Sequence, residues 1–394
     1  MMKLLLGGSP CTHWSIAQSR HRETRPEGQG WELFRNYLIA KERYCPDFFL
    51  YENNKSMAPA IREQITVELG VEPIFINSAL VSAQSRQRLY WTNIPGVEQP
   101  EDRGLVLRDI LESGLPLREK GYTLKANYAN SNAANALDSK HFPATMAAEP
   151  IRVGAIESST GSEGQGHRVY SADGKSKTLC GNGGGAGAKT GLYTVPTGMA
   201  WRGHANADNP SSFEARPDQK ANAVIVGHQS RLVIETADGR SFPAYEVKNG
   251  RIAIKGREYP IRLADGFYII RKLTVLECMR LQTVPEDYIF PVSNSQAYKM
   301  LGNGWTVEVI AHILSYCPGI TAEPVEVLSM YDGMSCGRLA LNKLGADVVR
   351  YYATEIDKYA IRTTKTNFPD TIQMGDAFRV REDGWRSFTE SVGR

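Results

Sequence analysis

No apolar run in this 394-residue chain approaches the roughly 18 residues needed to span a bilayer, so no membrane helix is expected. The opening Met1-Met2-Lys3-Leu4-Leu5-Leu6 reaches Gly7 too soon for a secretory signal, and a cytoplasmic protein is the expectation. Six cysteines (Cys11, Cys45, Cys180, Cys278, Cys317 and Cys336) include no C-x-x-C pair, and the seven histidines never fall at metal-ligand spacing. A disulfide framework and a zinc site are therefore excluded as expectations, and no metal is predicted. G-x-G-x-x-G is missing, which argues against a dinucleotide site. A net charge of +3 is too small to signal nucleic acid by itself, although Arg20-His21-Arg22 with Arg25 forms a local cluster able to contact phosphate. What is present, 42% hydrophobic and 23% charged residues, is ordinary globular material rather than a disordered or fibrous chain.

The texture divides the chain into three parts. Residues 1–97 alternate short apolar strands, Lys3 to Leu6 and Phe48 to Tyr51, with a helical Trp31 to Arg43 whose face is Trp31, Phe34, Leu38 and Ile39. That is a parallel α/β pattern. Residues 98–268 are rich in Gly, Asn, Ser and Asp and read as a loop- and strand-rich module. Residues 269–394 return to helical periodicity at Leu273 to Gln282 and Thr306 to Tyr316, then to a strand at Val325 to Met330. The flanks share a texture that the middle lacks, so one α/β domain is expected to be split by an insert.

Two glycine-rich loops differ in weight. Tyr331-Asp332-Gly333-Met334-Ser335-Cys336-Gly337 joins a strand to the helical Arg338 to Leu344, and Glu355 ends the next strand, Val348 to Thr354, where an acid can hold ribose hydroxyls. Asp376 follows a further short strand, Ile372 to Met374. The order strand, glycine turn, helix, strand-acid, strand-acid points to a nucleoside-cofactor site; a tight turn with surface carboxylates is the other reading. The second loop, Gly183 to Thr190, nearly matches G-x-x-x-x-G-K-[ST], but Ala188 replaces the second glycine and no apolar strand precedes it. It reads as a flexible recognition loop.

Gly7-Gly8-Ser9-Pro10-Cys11 follows a buried strand at the edge where parallel sheets place their chemistry. A cysteine there alone would read as inert core. Glu52, with Asn53 beside it, follows the strand Phe48 to Tyr51 in the same way, so a thiol and a carboxylate are expected to converge. Arg86 and Arg88 in Gln84-Ser85-Arg86-Gln87-Arg88 precede a strand, and alternation puts them on one side, as site groups or as a solvated face.

These residues resemble DNA cytosine-5 methyltransferases. Gly7 to Cys11 is similar to the family's Pro-Cys loop, Glu52-Asn53-Asn54 to its Glu-Asn-Val motif, and Gln84 to Arg88 to its Gln-x-Arg-x-Arg motif. Arg271-Lys272-Leu273-Thr274 with Glu277 and Arg280-Leu281-Gln282 resembles the helix supporting the recognition domain. Gly302-Asn303-Gly304-Trp305 resembles the Gly-Asn cofactor motif, and Tyr331 to Gly337, Glu355 and Gly375-Asp376 resemble the S-adenosylmethionine motifs. Gly-Gly-Ser-Pro-Cys and the aromatic after Gly304 look closer to mammalian de novo and phage enzymes. In most of the family the cofactor motif precedes the nucleophile loop; here the order is reversed, as in a circular permutation. Thr12, Asn54 and Tyr331 stand where Gln, Val and Phe are usual, and altered packing rather than altered chemistry is expected.

The resemblance implies a Rossmann-like S-adenosylmethionine-dependent fold with residues 98–268 as the target recognition domain, in a bacterial or phage-infected cell. It implies Cys11 as the nucleophile on cytosine C6, Glu52 on N3, and Arg88, with Arg86 in support, fixing the base and thiolate. Pro10, Asn303, Gly304, Trp305, Tyr331, Asp332, Gly333, Met334, Gly337, Glu355, Ile356, Asp376 and Ala377 are the expected cofactor contacts. Double-stranded DNA is the expected partner of a monomer, with the base flipped at a cost of a few kcal/mol. Residues 12–30 are expected to close as a lid with Arg20, Arg22 and Arg25 near phosphates. Arg168-Val169-Tyr170, the glycine-rich run and Asn127 to Asn135 are expected to read base edges. Three competitors remain: the same chemistry on RNA, a DNA-binding pseudoenzyme, and a nicotinamide dehydrogenase, which leaves Cys11 and the arginines unexplained.

Overall fold

A computed structural model describes residues 1–10, 13–15, 22–133, 144–150, 152–155, 168–171, 192–194, 199–202, 212–215, 233–235, 241–254, 257–261 and 263–379. Cys11, Thr12, Arg20, Ala134, Asn135 and the run Gly183 to Thr190 lie outside the described residues.

Seven strands form the main sheet: β1 (Met2–Gly7), β2 (Phe48–Asn54), β3 (Ile74–Asn77), β4 (Gln87–Thr92), β5 (Val325–Met330), β6 (Val348–Thr354) and β7 (Ile372–Gly375). Their order is β7-β6-β5-β1-β2-β4-β3. β7, β6, β5, β1 and β2 run parallel, whereas β4 is antiparallel to both β2 and β3. The apolar runs at 3–6 and 325–330 are buried because both faces of the sheet are covered, as parallel strands require. β5 lies between β1 and β6, so the two flanks of the chain complete one sheet.

One face carries α1 (Gly28–Tyr44) and α2 (Pro59–Leu69). Leu5, Phe49, Tyr51, Trp91 and Leu328 point to it. The other face receives Leu4, Leu6, Leu50 and Val327, packed with α3 (Val275–Leu281), α4 (Asn294–Asn303), α5 (Val307–Ser315) and α6 (Cys336–Leu344); Ala360 of α7 (Lys358–Asn367) joins them. Alternation along each strand makes this three-layer arrangement.

The buried face of α1 differs from the one expected. It comprises Phe34, Tyr37, Ala40 and Tyr44, while Trp31, Leu38 and Ile39 are only partly covered. Aromatic packing decides the rotation: the Phe34 and Tyr37 rings lie 5.1 and 4.9 Å from Tyr51, which lies 5.9 Å from Trp91. The helix also begins at Gly28, so the lid expected over 12–30 loses its last three residues to α1. Likewise β2 runs on through Asn54, which places Glu52 within the strand rather than after it.

A second sheet joins Arg257–Pro260, Arg251–Ile254, Ser241–Lys248, Gly266–Lys272, Met146–Pro150 and Leu115–Pro116 in that order. Its small core includes Ala133, Met146, Val247, Ile252 and Tyr268. Leu107, Ile110, Leu124 and Tyr128, beyond the expected boundary at 97, pack instead into the core of the main domain. Arg168 opens a separate strand, Arg168–Ser171. No described helix is long and apolar enough to cross a membrane.

The strand Gly266–Lys272 leads into α3 through a built junction. Thr274 caps the helix in a capping box with Glu277, whose fully buried carboxylate takes Arg271 Nη1 at 2.8 Å and Nη2 at 2.9 Å. Burial alone would raise the Glu277 pKa; the bonds from Arg271, Thr274 N–H and Glu112 N–H outweigh it and hold the carboxyl below its usual range. A depressed carboxylate contributes stability that is present above the unfolded value and lost as pH falls through the folded one. Arg271→Ala, which strands a buried charge, is expected to cost about 3 kcal/mol at neutral pH. Urea unfolding at pH 7 and pH 4 checks this, with a smaller penalty expected at pH 4, where Glu277 can fold protonated.

Candidate active site

The register of the parallel strands aligns their carboxyl ends: Gly7 pairs with Tyr51 and Met330, Met330 with Thr354, and Thr354 with Gly375. The residues at these ends, Gly8 to Pro10, Glu52, Tyr331 to Gly333, Glu355 and Asp376, therefore face one crevice, the usual ligand position in such sheets. They line a cavity of about 590 Å³.

At one end is Glu52. Its Oε1 lies 2.7 Å from Arg88 Nε, and its Oε2 accepts Trp305 Nε1–H at 3.0 Å. Gly8 is needed beside it, because a Cβ there would meet Glu52 Oε2 at 3.0 Å and Trp305 at 3.3 Å. The Gly8–Pro10 turn is pinned from below: Asn53 Nδ2 donates to Ser9 O at 3.2 Å and to Ser9 Oγ at 3.3 Å, and Ser9 Oγ shares a 2.6 Å hydrogen bond with Tyr51 OH. Ser9 and Tyr51 were missed by sequence reasoning, because a core tyrosine in a strand carries no local signal of a polar partner 42 residues away. Pro10 and His13 both line the cavity.

Arg86 also lines the cavity, but its guanidinium acts as a strut. Nη1 donates to Leu124 O at 3.2 Å and Gly302 O at 3.3 Å, and Nη2 to Gly304 O at 2.9 Å. The buried fork is spent on backbone carbonyls, so the support expected of Arg86 would act through the Leu124 and Gly302–Gly304 backbone. Gln84 extends this network, donating to Leu281 O and to Gln282 Oε1, both at 2.8 Å, while Gln282 donates to Leu301 O at 2.6 Å. Gly302 allows the close approach, because a Cβ would fall 2.2 Å from the Lys125 carbonyl carbon. Asn303, Gly304 and Trp305 are thereby set on the cavity wall.

The far end is the turn after β5. Tyr331, Gly333 and Ser335 all have φ near 60°, and a Cβ on Gly333 would meet nothing within 4 Å, so its backbone borders open space. Tyr331 OH donates to Leu33 O at 2.7 Å, which anchors the ring that replaces the usual Phe. The Asp332 carboxylate is turned into the loop, accepting from Tyr351 OH at 2.7 Å and from Ser335. Burial pushes its pKa up to about 6 against hydrogen bonds from Ser335, Ser329 and Tyr351. Glu355 accepts Gly333 N–H at 2.8 Å through Oε2, and Ile356 N–H at 2.7 Å and Asp357 N–H at 2.8 Å through Oε1. Ile356 lines the cavity yet is 73% exposed. Met334, Asp376 and Ala377 complete this end.

Gly337 does not line the cavity. It is a packing glycine, where a Cβ would meet Leu6 Cδ1 at 2.6 Å, and the expectation of a cofactor contact there is corrected. Cys336 takes its place on the wall, but burial pushes that thiol up to about 12. A neutral thiol is a poor nucleophile, which argues against a catalytic role for Cys336. Arg22 is corrected as well: its Nε donates to Trp14 O at 3.2 Å and its Nη2 to Ser56 O, which ties the loop down, whereas Arg25 is exposed.

C-5 cytosine-specific DNA methylases match residues 1–69 and 81–318, well over half of the chain. The chain belongs to that family. This methylase is 28% identical to the orphan methyltransferase M.SPRI of Bacillus phage SPR over 79% of its own length and 81% of the relative's. Shorter stretches resemble the type II methyltransferases M.SsoII of Shigella sonnei (37% identity, 23% of this chain and 26% of the relative) and M.HpaII of Haemophilus parainfluenzae (34%, 27% of each). The chain spans about a quarter of those two. The methylase is accordingly a DNA cytosine-5 methyltransferase with a Rossmann-like fold.

Proposed function

We propose that the methylase takes its methyl group from S-adenosylmethionine and delivers it to C5 of a flipped cytosine held as a Cys11–C6 adduct. The carrying observation is that the Glu52–Arg88–Trp305 cluster and the Gly333–Glu355 turn open into one cavity.

The far end fits the cofactor. Open space over the Gly333 backbone admits close approach, Glu355 Oε2, which accepts only the Gly333 N–H, retains an acceptor site for a ribose hydroxyl, and the exposed Ile356 offers an apolar face to a base. S-adenosylmethionine supplies an electrophilic methyl group when bound. Ile356→Ala should weaken its binding by about 1–2 kcal/mol, from lost apolar cover, with little change in melting temperature; calorimetric titration and a thermal melt check both.

On the substrate side, Cys11 attacks C6 as thiolate and Glu52 hydrogen-bonds at N3, so that electron density gathers on C5. Arg88 holds Glu52 and faces the base, while Arg86 keeps the Gly302–Trp305 segment in place. Arg20 and Arg25 approach phosphate, and residues 98–268, including Arg168, Asn127 and Asn130, read the duplex. The family match ends at residue 318, before the β5–β7 segment that completes the sheet, which supports a permuted order of motifs.

Bisulfite sequencing of DNA and RNA from a host expressing the protein tests this reading. Protected cytosines should appear in a fixed DNA sequence context and not in RNA. An unmodified DNA background, or protection in RNA alone, overturns it.

A further inference from the structure

We infer that His13, oriented by Glu23, is the base that removes the C5 proton of the methylated cytosine. The inference rests on the adduct chemistry proposed above. Replacing C5–H by C5–CH₃ releases one proton, and some group must accept it. His13 lines the cavity, with Nδ1 3.4 Å from Glu23 Oε1. Glu23 is itself fixed, because Gly30 N–H donates to both of its oxygens at 3.1 Å and Trp14 Nε1–H to Oε2 at 3.0 Å. The helix start thus anchors a carboxylate within ion-pair distance of His13 Nδ1, and Nε2 is the ring nitrogen left to accept a proton. Gly30 permits the packing, since a Cβ would lie 2.6 Å from both Glu23 Oε2 and Trp14 Nε1 and 2.8 Å from His13 Cβ.

The carboxylates on the described cavity wall are already engaged. Glu52 holds Arg88 and Trp305; Asp332 holds Tyr351 and Ser335; Glu355 accepts three backbone N–H groups; Asp357 pairs with Lys299 at 2.7 Å; Asp376 accepts Phe378 N–H. His13 is two residues from Cys11 in the chain. A methyl group arriving on the face opposite the sulfur leaves the C5 hydrogen on the sulfur's face. In the step, His13 Nε2 takes that hydrogen as a proton, the C5–H pair forms the C5=C6 bond, and the C6–S pair leaves with Cys11 as thiolate. The imidazolium is held by Glu23 until it loses the proton to solvent.

His13→Gln and His13→Ala test this with labelled methyl donor and ordinary cytosine duplex. Turnover should fall about 100-fold while the first methyl transfer stays within about threefold, and a methyl-labelled, denaturant-stable protein–DNA complex should build up. Added imidazole should clear that complex in His13→Ala, and Glu23→Gln should show a weaker form of the defect. Cofactor affinity reports that the variants are folded. Wild-type-like turnover, in which water serves as base, overturns the inference, as does loss of turnover without a labelled complex. If the adduct chemistry itself is wrong, the wild-type protein forms no complex on 5-fluorocytosine DNA, a separate outcome.

Discussion

Cys11→Ala is expected to lower methyl transfer by at least about 10⁴-fold, some 5 kcal/mol of activation free energy, while cofactor and DNA binding change little. The physical reason lies in the base. Cytosine C5 is a weak carbon nucleophile, and only addition at C6 turns the ring into an enamine able to take a methyl group. No other described thiol is placed to substitute: Cys336 reaches the cavity wall but is held neutral, Cys278 and Cys317 are buried with thiols pushed up by desolvation, and the exposed Cys45 sits at the far end of α1, away from the cavity lining. Filter-bound transfer of labelled methyl to a long duplex of varied sequence measures the loss. Residual activity above about 1% of wild type would assign the nucleophile elsewhere.

Glu52→Gln is expected to lower kcat by about 10²–10³-fold with little change in KM for the cofactor. Glu52 accepts from two donors at once, Arg88 at 2.7 Å and Trp305 at 3.0 Å. An amide has one oxygen, so one of these donors must face an NH₂ group, and Arg88 loses its counter-charge. The variant keeps the shape of the site while removing the negative charge that supports a proton at N3. Steady-state kinetics at several cofactor concentrations separate the two constants, and activity within threefold of wild type would remove Glu52 from the chemistry.

How far the site was legible depends on whether its signals were local. The glycine turn at 331–337 and the acids at 355 and 376 were visible because strand, turn and strand-end follow one another in the chain, and parallel register does the rest. Gly8 and Glu52 were visible for the same reason. The partners of Arg86 were hidden because they are carbonyls of Leu124, Gly302 and Gly304, contributed by distant segments. Gly337 was misread because a helix glycine packed on Leu6 looks, in sequence, like one bared to a ligand. The start of α1 was hidden for a similar reason. Its first turn is satisfied not by Glu27, which makes no capping bond, but by Glu23, seven residues before Gly30. Arg22 carries the charge of a phosphate contact and is spent on Trp14 and Ser56.

The most direct measurement is a denaturing gel of the protein incubated with S-adenosylmethionine and a long mixed-sequence duplex in which every cytosine carries fluorine at C5. Fluorine cannot leave as a proton does, so elimination stops after methyl transfer and the cysteine remains bonded to DNA. The account predicts a cofactor-dependent, denaturant-stable complex for the wild-type protein and none for Cys11→Ala. A complex that forms equally well without Cys11, or no complex with the active wild-type protein, would contradict it.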